Sequence, residues 1–178
     1  MTEGWIYERA EDNSARFVLG TVGENPLVCL GVNPSTAEPG DLDLTATKLA
    51  GFASRNGFDS WVMLNLYPQR STDPQGMHAV HDAALKAENE RRIAAFLDGR
   101  PLPLLAAWGT PIATRPYLLQ MLQGIVTVAA ASGCTWTSIG DLLGSGHPRH
   151  PSRATYRWPL QPFDVEAYLT TASTRGRA

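Results

Sequence analysis

Cysteine is scarce in this chain: only Cys29 and Cys134 occur among 178 residues, and Cys29 lies inside the apolar stretch Leu27-Val28-Cys29-Leu30. That scarcity excludes a disulfide framework and any multi-cysteine metal or iron–sulfur site, and it fits a reduced, cytoplasmic setting. Long apolar runs are missing as well, since nothing approaches the roughly 20 residues that span a bilayer. Met1 to Ala10 lacks a basic flank followed by an apolar core, so a soluble, unprocessed protein with no membrane partner is expected. Neither a Walker-type phosphate loop nor a Gly-x-Gly-x-x-Gly fingerprint is present. His78 and His81 have only Asp82 as a neighbour at helical spacing, which reads as a solvated helix start and not as a metal site. The last absence is local: no acidic residue falls between Leu142 and Phe163, a span that holds His147, Arg149, His150, Arg153 and Arg157. A cationic patch is therefore expected there, although the formal charge of the whole chain is only -2 and gives no general argument for nucleic acid.

With 43% hydrophobic residues the chain has enough apolar surface for one sizeable core. A single domain over residues 1–178 is expected, monomeric by default, with residues 170–178 as a small, polar, flexible tail. Ile6 to Arg9 and Arg16 to Leu19 can pair as a hairpin across Glu11-Asp12-Asn13-Ser14, leading into a buried strand at Leu27 to Gly31. Leu49, Phe52 and Ala53 give Thr45 to Asn56 a helical spacing, stopped at Asn56-Gly57. Trp61 to Leu64 reads as a second buried strand, Met77 to Leu97 as the longest helix and Pro103 to Ala107 as a third strand. A helix over Arg115 to Leu122 follows, and Ile125 to Ala131 reads either as a fourth strand or as a buried helix end. Strands separated by helices predict an α/β fold, a three-layer α/β/α sandwich around a short, mainly parallel sheet.

The polar residues gather at strand ends. Gly31-Val32-Asn33-Pro34-Ser35-Thr36 follows the first buried strand directly, and ligands of α/β proteins collect at such ends. Its amide, rigid turn and two hydroxyls suit a water or a phosphate, while an Asn-Pro turn with a Ser/Thr helix cap is the plain structural alternative. Asn65 ends the second strand, where an amide with one acceptor and two donors can read the edge of a base or can simply satisfy loop backbone groups. In Arg70-Ser71-Thr72-Asp73-Pro74, Arg70 suits a phosphate or an internal ion pair, and Asp73 reads as a turn or cap residue. His150, flanked by prolines in His147-Pro148-Arg149-His150-Pro151-Ser152, can donate a hydrogen bond to developing negative charge.

Taken in order, Gly31-Val32-Asn33-Pro34, Val62-Met63-Leu64-Asn65, Leu105-Ala106-Ala107-Trp108-Gly109 and His150-Pro151-Ser152 resemble the blocks of the uracil-DNA glycosylase superfamily. More closely, Asn33-Pro34-Ser35-Thr36-Ala37, Asp43-Leu44-Thr45, Asn65-Leu66, Arg70-Ser71-Thr72-Asp73-Pro74, Trp108-Gly109 and His147-Pro148-Arg149-His150-Pro151 resemble the bacterial domain-of-unknown-function family 1643. This likeness runs from about Trp5 to Phe163. The closer family brings no settled activity, whereas the superfamily implies enzymes that extrude a nucleotide from DNA and cleave the bond between base and sugar. The resemblance implies Asn33 and His150 as catalytic residues, Asn33 positioning water and His150 serving the leaving group. It places Gly31, Pro34, Ser35, Asn65, Tyr67, Trp108 and Ser152 around the base, with Phe52, Tyr67 and Trp108 as candidates for the stacking aromatic. Thr36, Arg70, Arg149, Arg153 and Arg157 are the expected phosphate or DNA contacts.

The expected function is thus a glycosylase-like hydrolase that removes a modified or mismatched pyrimidine from DNA, single-stranded or modified DNA included. The alternatives are a non-catalytic binder of nucleic acid or nucleotide, or a hydrolase of free nucleosides or nucleotides. No metal or organic cofactor is implied. Three departures from the superfamily pattern shape this expectation. Asn33 stands where efficient uracil enzymes carry an aspartate, Ser35 where they carry an aromatic beside the 5-position of the base, and Ser152-Arg153-Ala154 lacks a large apolar wedge.

Overall fold

The computed structural model describes residues 4–175. Seven strands form one sheet in the order β1-β2-β4-β3-β5-β6-β7: β1 Trp5–Arg9, β2 Arg16–Thr21, β3 Pro26–Gly31, β4 Ser60–Asn65, β5 Pro103–Ala106, β6 Thr135–Ile139 and β7 Leu160–Pro162. Four helices connect or cover them: α1 Leu44–Arg55, α2 Ala83–Leu97, α3 Tyr117–Ala131 and α4 Val165–Arg175. The fold is α/β, as expected, but the sheet is mixed. Parallel pairing is confined to β4, β3, β5 and β6, while β1, β2 and β7 add antiparallel edges. The expected short, mainly parallel sheet accounts for the centre alone, because the hairpin β1–β2 and the short strand β7 extend it with antiparallel pairs.

Alternate residues of the central strands face two separate cores. Cys29, Met63, Leu105 and Ala107 pack with Ala46, Leu49, Phe52 and Ala53 of α1. Val28, Leu30, Val62, Leu64, Leu104 and Ala106 pack with Ile93 and Leu97 of α2, with α3 from Leu118 to Ala129, and with Val165, Tyr168 and Leu169 of α4. Strands buried on both faces read as continuous apolar runs, which is why β3 and β4 were legible in the sequence. Each Val, Leu, Ile, Met or Phe among these stabilises the fold by about 1.5–3 kcal/mol through burial, so Phe52→Ala is expected to cost about 3–5 kcal/mol.

Helix boundaries follow local chemistry. Asp43 caps α1 by accepting from the Ala46 backbone N–H at 2.9 Å, and Asn56 closes it. Asp82 caps α2 by accepting from Leu85 N–H at 2.8 Å, so α2 begins six residues later than the composition of Met77 to Leu97 predicts. Asp73 is the cap of the short turn Pro74–Gly76, as its position before proline predicts. In α3 the spacing of Leu118, Met121, Leu122, Ile125, Val126 and Ala129 continues with helical period, and Ile125 to Ala131 is the helix end. Residues 170–175 belong to α4 and not to a flexible tail, because Val165, Tyr168 and Leu169 anchor that helix to the core; residues 176–178 lie outside the described residues. Among the described residues no helix is long and apolar enough to cross a membrane.

The topology also sets where a ligand can enter. β3 is followed by α1 on one face and β5 by α3 on the other, so the loops after these neighbouring parallel strands diverge and leave a crevice at their C-terminal ends. Register keeps the ends level: Gly31 lies opposite Asn65, and Leu30 opposite Ala106. The ladder continues past the strands, with Leu66 N–H donating to Gly31 C=O at 2.9 Å, Tyr67 N–H to Val32 C=O at 3.0 Å and Ala107 N–H to Leu30 C=O at 3.1 Å.

Candidate functional site

A cavity of about 680 Å³ opens in that crevice. Gly31, Asn33 and Ser35 line it from the loop after β3, Asn65 from the end of β4, Trp108 from the loop after β5, and Arg149, His150, Ser152 and Arg153 from the late loop. Four segments separated by most of the chain are thereby brought to one place. Pro34 is buried behind this wall, and Thr36 is exposed outside it.

Asn65 is only 2% exposed, and its Nδ2 has no hydrogen-bond partner. Its position is fixed from behind: Asn89 Nδ2 donates to the backbone carbonyls of Asn65 and Leu66 at 2.9 and 3.1 Å. Across the ladder, a Cβ on Gly31 would lie 3.1 Å from Asn65 Oδ1, so glycine leaves the room that the amide occupies. Asn33 is more committed. Its Nδ2 donates to Ser71 C=O at 2.8 Å and to Pro34 C=O at 3.1 Å, tying the β3 loop to the β4 loop and leaving Oδ1 without a donor from the protein.

His150 is held by the turn that follows it. The Ser152 backbone N–H donates to His150 Nδ1 at 3.4 Å, and Ser152 Oγ lies 2.8 Å from the same nitrogen. With Nδ1 accepting, the neutral ring carries its proton at Nε2. Burial pushes the His150 pKa below its ordinary value, with Arg153 acting in the same direction and Asp43 against it. Near neutral pH the ring is thus an uncharged donor. Gly109 makes the approach possible: its φ of +56° turns the chain after Trp108, and a Cβ there would meet Pro111 Cδ at 3.3 Å and His150 Cβ at 3.6 Å.

The aromatic candidates divide. Trp108 lines the cavity, but its ring is fully buried against Trp136, Phe163 and Tyr168 at centroid distances of 5.9, 5.8 and 5.4 Å, and its Nε1 has no partner. Tyr67 does not reach the cavity. Its hydroxyl lies 2.7 Å from His78 Nδ1 and accepts from Asp82 N–H at 2.9 Å, which makes it a tie between β4 and the start of α2. Phe52 is core, packed on Tyr156 at 5.0 Å.

The expected phosphate contacts divide in the same way. Arg70 is a loop clip: it donates to Ser35 C=O at 2.5 Å and to Tyr7 Oη at 2.8 Å, and lies 3.4 Å from Glu38. Arg149 donates to Asp141 C=O at 2.8 Å and stacks over Trp158 at 4.5 Å while lining the cavity. Arg153 is exposed at the rim, and Arg157 is exposed outside it.

Two charged lining residues carried no assigned role in the sequence. Asp43, the cap of α1, is the only carboxylate in the cavity wall among the described residues. A cap signal before an apolar helical run identifies the residue type, but not the pocket it borders. Arg16, at the start of β2, is 3% exposed and enters from the antiparallel edge. Among the described residues no group of three or more His, Cys, Asp or Glu is placed to hold a metal ion.

No curated protein and no solved structure matches the chain. A family model described as "Protein of unknown function (DUF1643)" matches residues 16–152, a span that begins at Arg16 and ends at Ser152 and so takes in all of the cavity wall except Arg153. The chain belongs to this family.

Proposed function

We propose that the cavity is the base pocket of a uracil-DNA glycosylase-like hydrolase that removes a modified or mismatched pyrimidine from DNA. The observation that supports this most is the convergence of the Asn65 amide, the His150 Nε2 donor and the Asn33 and Asp43 side chains on one cavity at the ends of parallel strands. Asn65 offers a donor and an acceptor to a pyrimidine edge. As the C1′–N1 bond breaks, its electron pair leaves on the base, and His150 Nε2–H stabilises the charge that forms on a base oxygen. The sugar becomes cationic, and the Asp43 carboxylate supplies the negative charge that the Asn33 amide cannot. Water adds at C1′, oriented by Asn33 Oδ1, its proton passes to Asp43, and the departed base is protonated by solvent.

The test uses oligonucleotides bearing uracil, thymine mismatches or 5-substituted pyrimidines, followed by alkaline cleavage at abasic sites. Strand breaks from wild type, lost in His150→Ala, are the expected result; breaks from no substrate overturn the reading. Persistent binding without product identifies the site as a recognition module.

One observation favours a second reading, hydrolysis of free nucleosides or nucleotides. Arg70 and Arg149, two of the expected phosphate contacts, are engaged by other groups of the protein, which thins the charge available to a DNA backbone. Turnover of monomers with little salt dependence is its signature.

A further inference from the structure

Arg16 is a buried cation without a matched anion. It is 3% exposed, it forms no ion pair within 4.0 Å among the described residues, and its one side-chain hydrogen bond runs from Nη1 to Ala37 C=O at 2.8 Å. Its Nε is shielded from solvent and has no partner. The acidic groups nearest in charge each have a hydrogen-bond partner of their own. Asp43 Oδ1 accepts from Ala46 N–H, and Glu38 Oε1 takes Tyr7, Asn13 and Arg70. Burial, followed by repulsion from Arg70, pushes the guanidinium down to about 10, while Asp43, Tyr7 and Glu38 act in the opposite direction. A guanidinium taken out of water without a carboxylate is costly, and it becomes favourable when an oxyanion meets its fork of donors.

The wall around Arg16 has the same bias. Among the described residues, three of the five buried side-chain polar atoms without partners belong to this cavity, Arg16 Nε, Asn65 Nδ2 and Trp108 Nε1, and all three are N–H donors. With Nδ1 accepting, His150 Nε2 adds a further N–H donor to the wall. Arg16, Arg149 and Arg153 face one carboxylate, Asp43. A neutral pyrimidine can satisfy Asn65 and His150 with its edge, but it has no group that matches a buried guanidinium.

We propose that Arg16 is the anion-binding end of the cavity, and that the ligand carries an oxyanion: a carboxylate on the base or the phosphate of a mononucleotide. This rests on the base-pocket reading for the rest of the ligand, while the Arg16 site stands on its own burial and lack of a counter-ion.

The experiment is calorimetric titration of wild type, Arg16→Lys and Arg16→Gln with six probes. These are inorganic phosphate, acetate, 2′-deoxyuridine, its 5′-monophosphate, and the 2′-deoxynucleosides of 5-carboxyuracil and 5-carboxycytosine. Thermal melting of each variant confirms folding, and the comparison of charged with neutral probes on wild type needs no variant. The expected result is that at least one anionic nucleoside binds about tenfold or more tighter than 2′-deoxyuridine, with that advantage lost in Arg16→Gln. An advantage for the monophosphate alone assigns the oxyanion to phosphate, and one for a carboxylated base alone assigns it to the base. Equal affinity for neutral and anionic nucleosides overturns the proposal and leaves the base pocket intact. Binding of inorganic phosphate or acetate that Arg16→Gln abolishes, with no nucleoside bound, supports the anion site and overturns the base pocket. Failure of every anionic probe to bind overturns the proposal.

Discussion

The Ser152 backbone N–H donates to Nδ1 of His150, a nitrogen that Ser152 Oγ also approaches, and with Nδ1 accepting the neutral imidazole carries its proton at Nε2. Because the donor is backbone, the turn Pro151–Arg153 presents the Nε2–H whatever side chain stands at position 152. On the proposed reaction, His150→Ala lowers the excision rate by a factor on the order of 10²–10³, the usual cost of removing one donor to developing charge. Ser152→Ala keeps the N–H and loses only the hydroxyl contact, so its loss stays below about tenfold. Single-turnover cleavage assays separate the two.

His150 also leaves a trace in stability. Its pKa is lowered on folding, first by burial, so as pH falls through the ordinary value of about 6.5 the unfolded chain takes up the proton before the folded one. Stability is therefore unaffected well above that pH, falls as pH drops through it, and levels once the folded ring is protonated too. His150→Gln cannot titrate, and its stability difference from wild type changes in that window alone. Urea unfolding at a series of pH values checks this; parallel curves for the two proteins contradict it.

Asp43 combines a cap and a charge, and the two can be parted. Asparagine caps helices as well as aspartate does, so Asp43→Asn is expected to change stability by no more than about 0.5 kcal/mol while retaining the bond from Ala46 N–H. If the carboxylate supports the cationic sugar, excision by Asp43→Asn falls by tenfold or more on the order-of-magnitude scale of general base catalysis. Full activity in a folded Asp43→Asn protein removes Asp43 from the mechanism.

Arg70 and Arg153 were both expected to contact phosphate, and the structure gives them different work. Arg70→Ala unties Ser35, Tyr7 and Glu38, and should destabilise the protein by about 1–3 kcal/mol without changing the salt dependence of DNA binding. Arg153→Ala, at an exposed rim, should leave stability nearly unchanged and reduce the salt slope by about one. Chemical unfolding and filter binding across a salt series distinguish the pair.

Much of this was legible before the fold was known. The runs Leu27 to Gly31, Trp61 to Leu64 and Pro103 to Ala107 are apolar because their strands are covered on both faces. Asn33, Asn65 and His150 could be singled out because each is polar and stands just beyond such a run or inside a proline-bound turn. β6 and β7 were not legible, since both are short, leave much of their length partly exposed and lose the period-2 signal. Tyr67 and Arg70 read as site residues because they follow Asn65 closely; the chain turns after Leu66, and their side chains serve the α2 start and the β3 loop instead.

The sequence by itself determined the residue types at the strand ends and the local caps, because those depend on neighbours a few positions away. Tertiary structure alone decided which of them meet. Parallel register sets Gly31 beside Asn65, and helices leaving β3 and β5 on opposite faces open the crevice between them. The antiparallel strand β2, paired with β4, then brings Arg16 into the wall of that cavity. A buried arginine looks like any other in one dimension; its missing counter-ion appears only when every surrounding carboxylate has been placed.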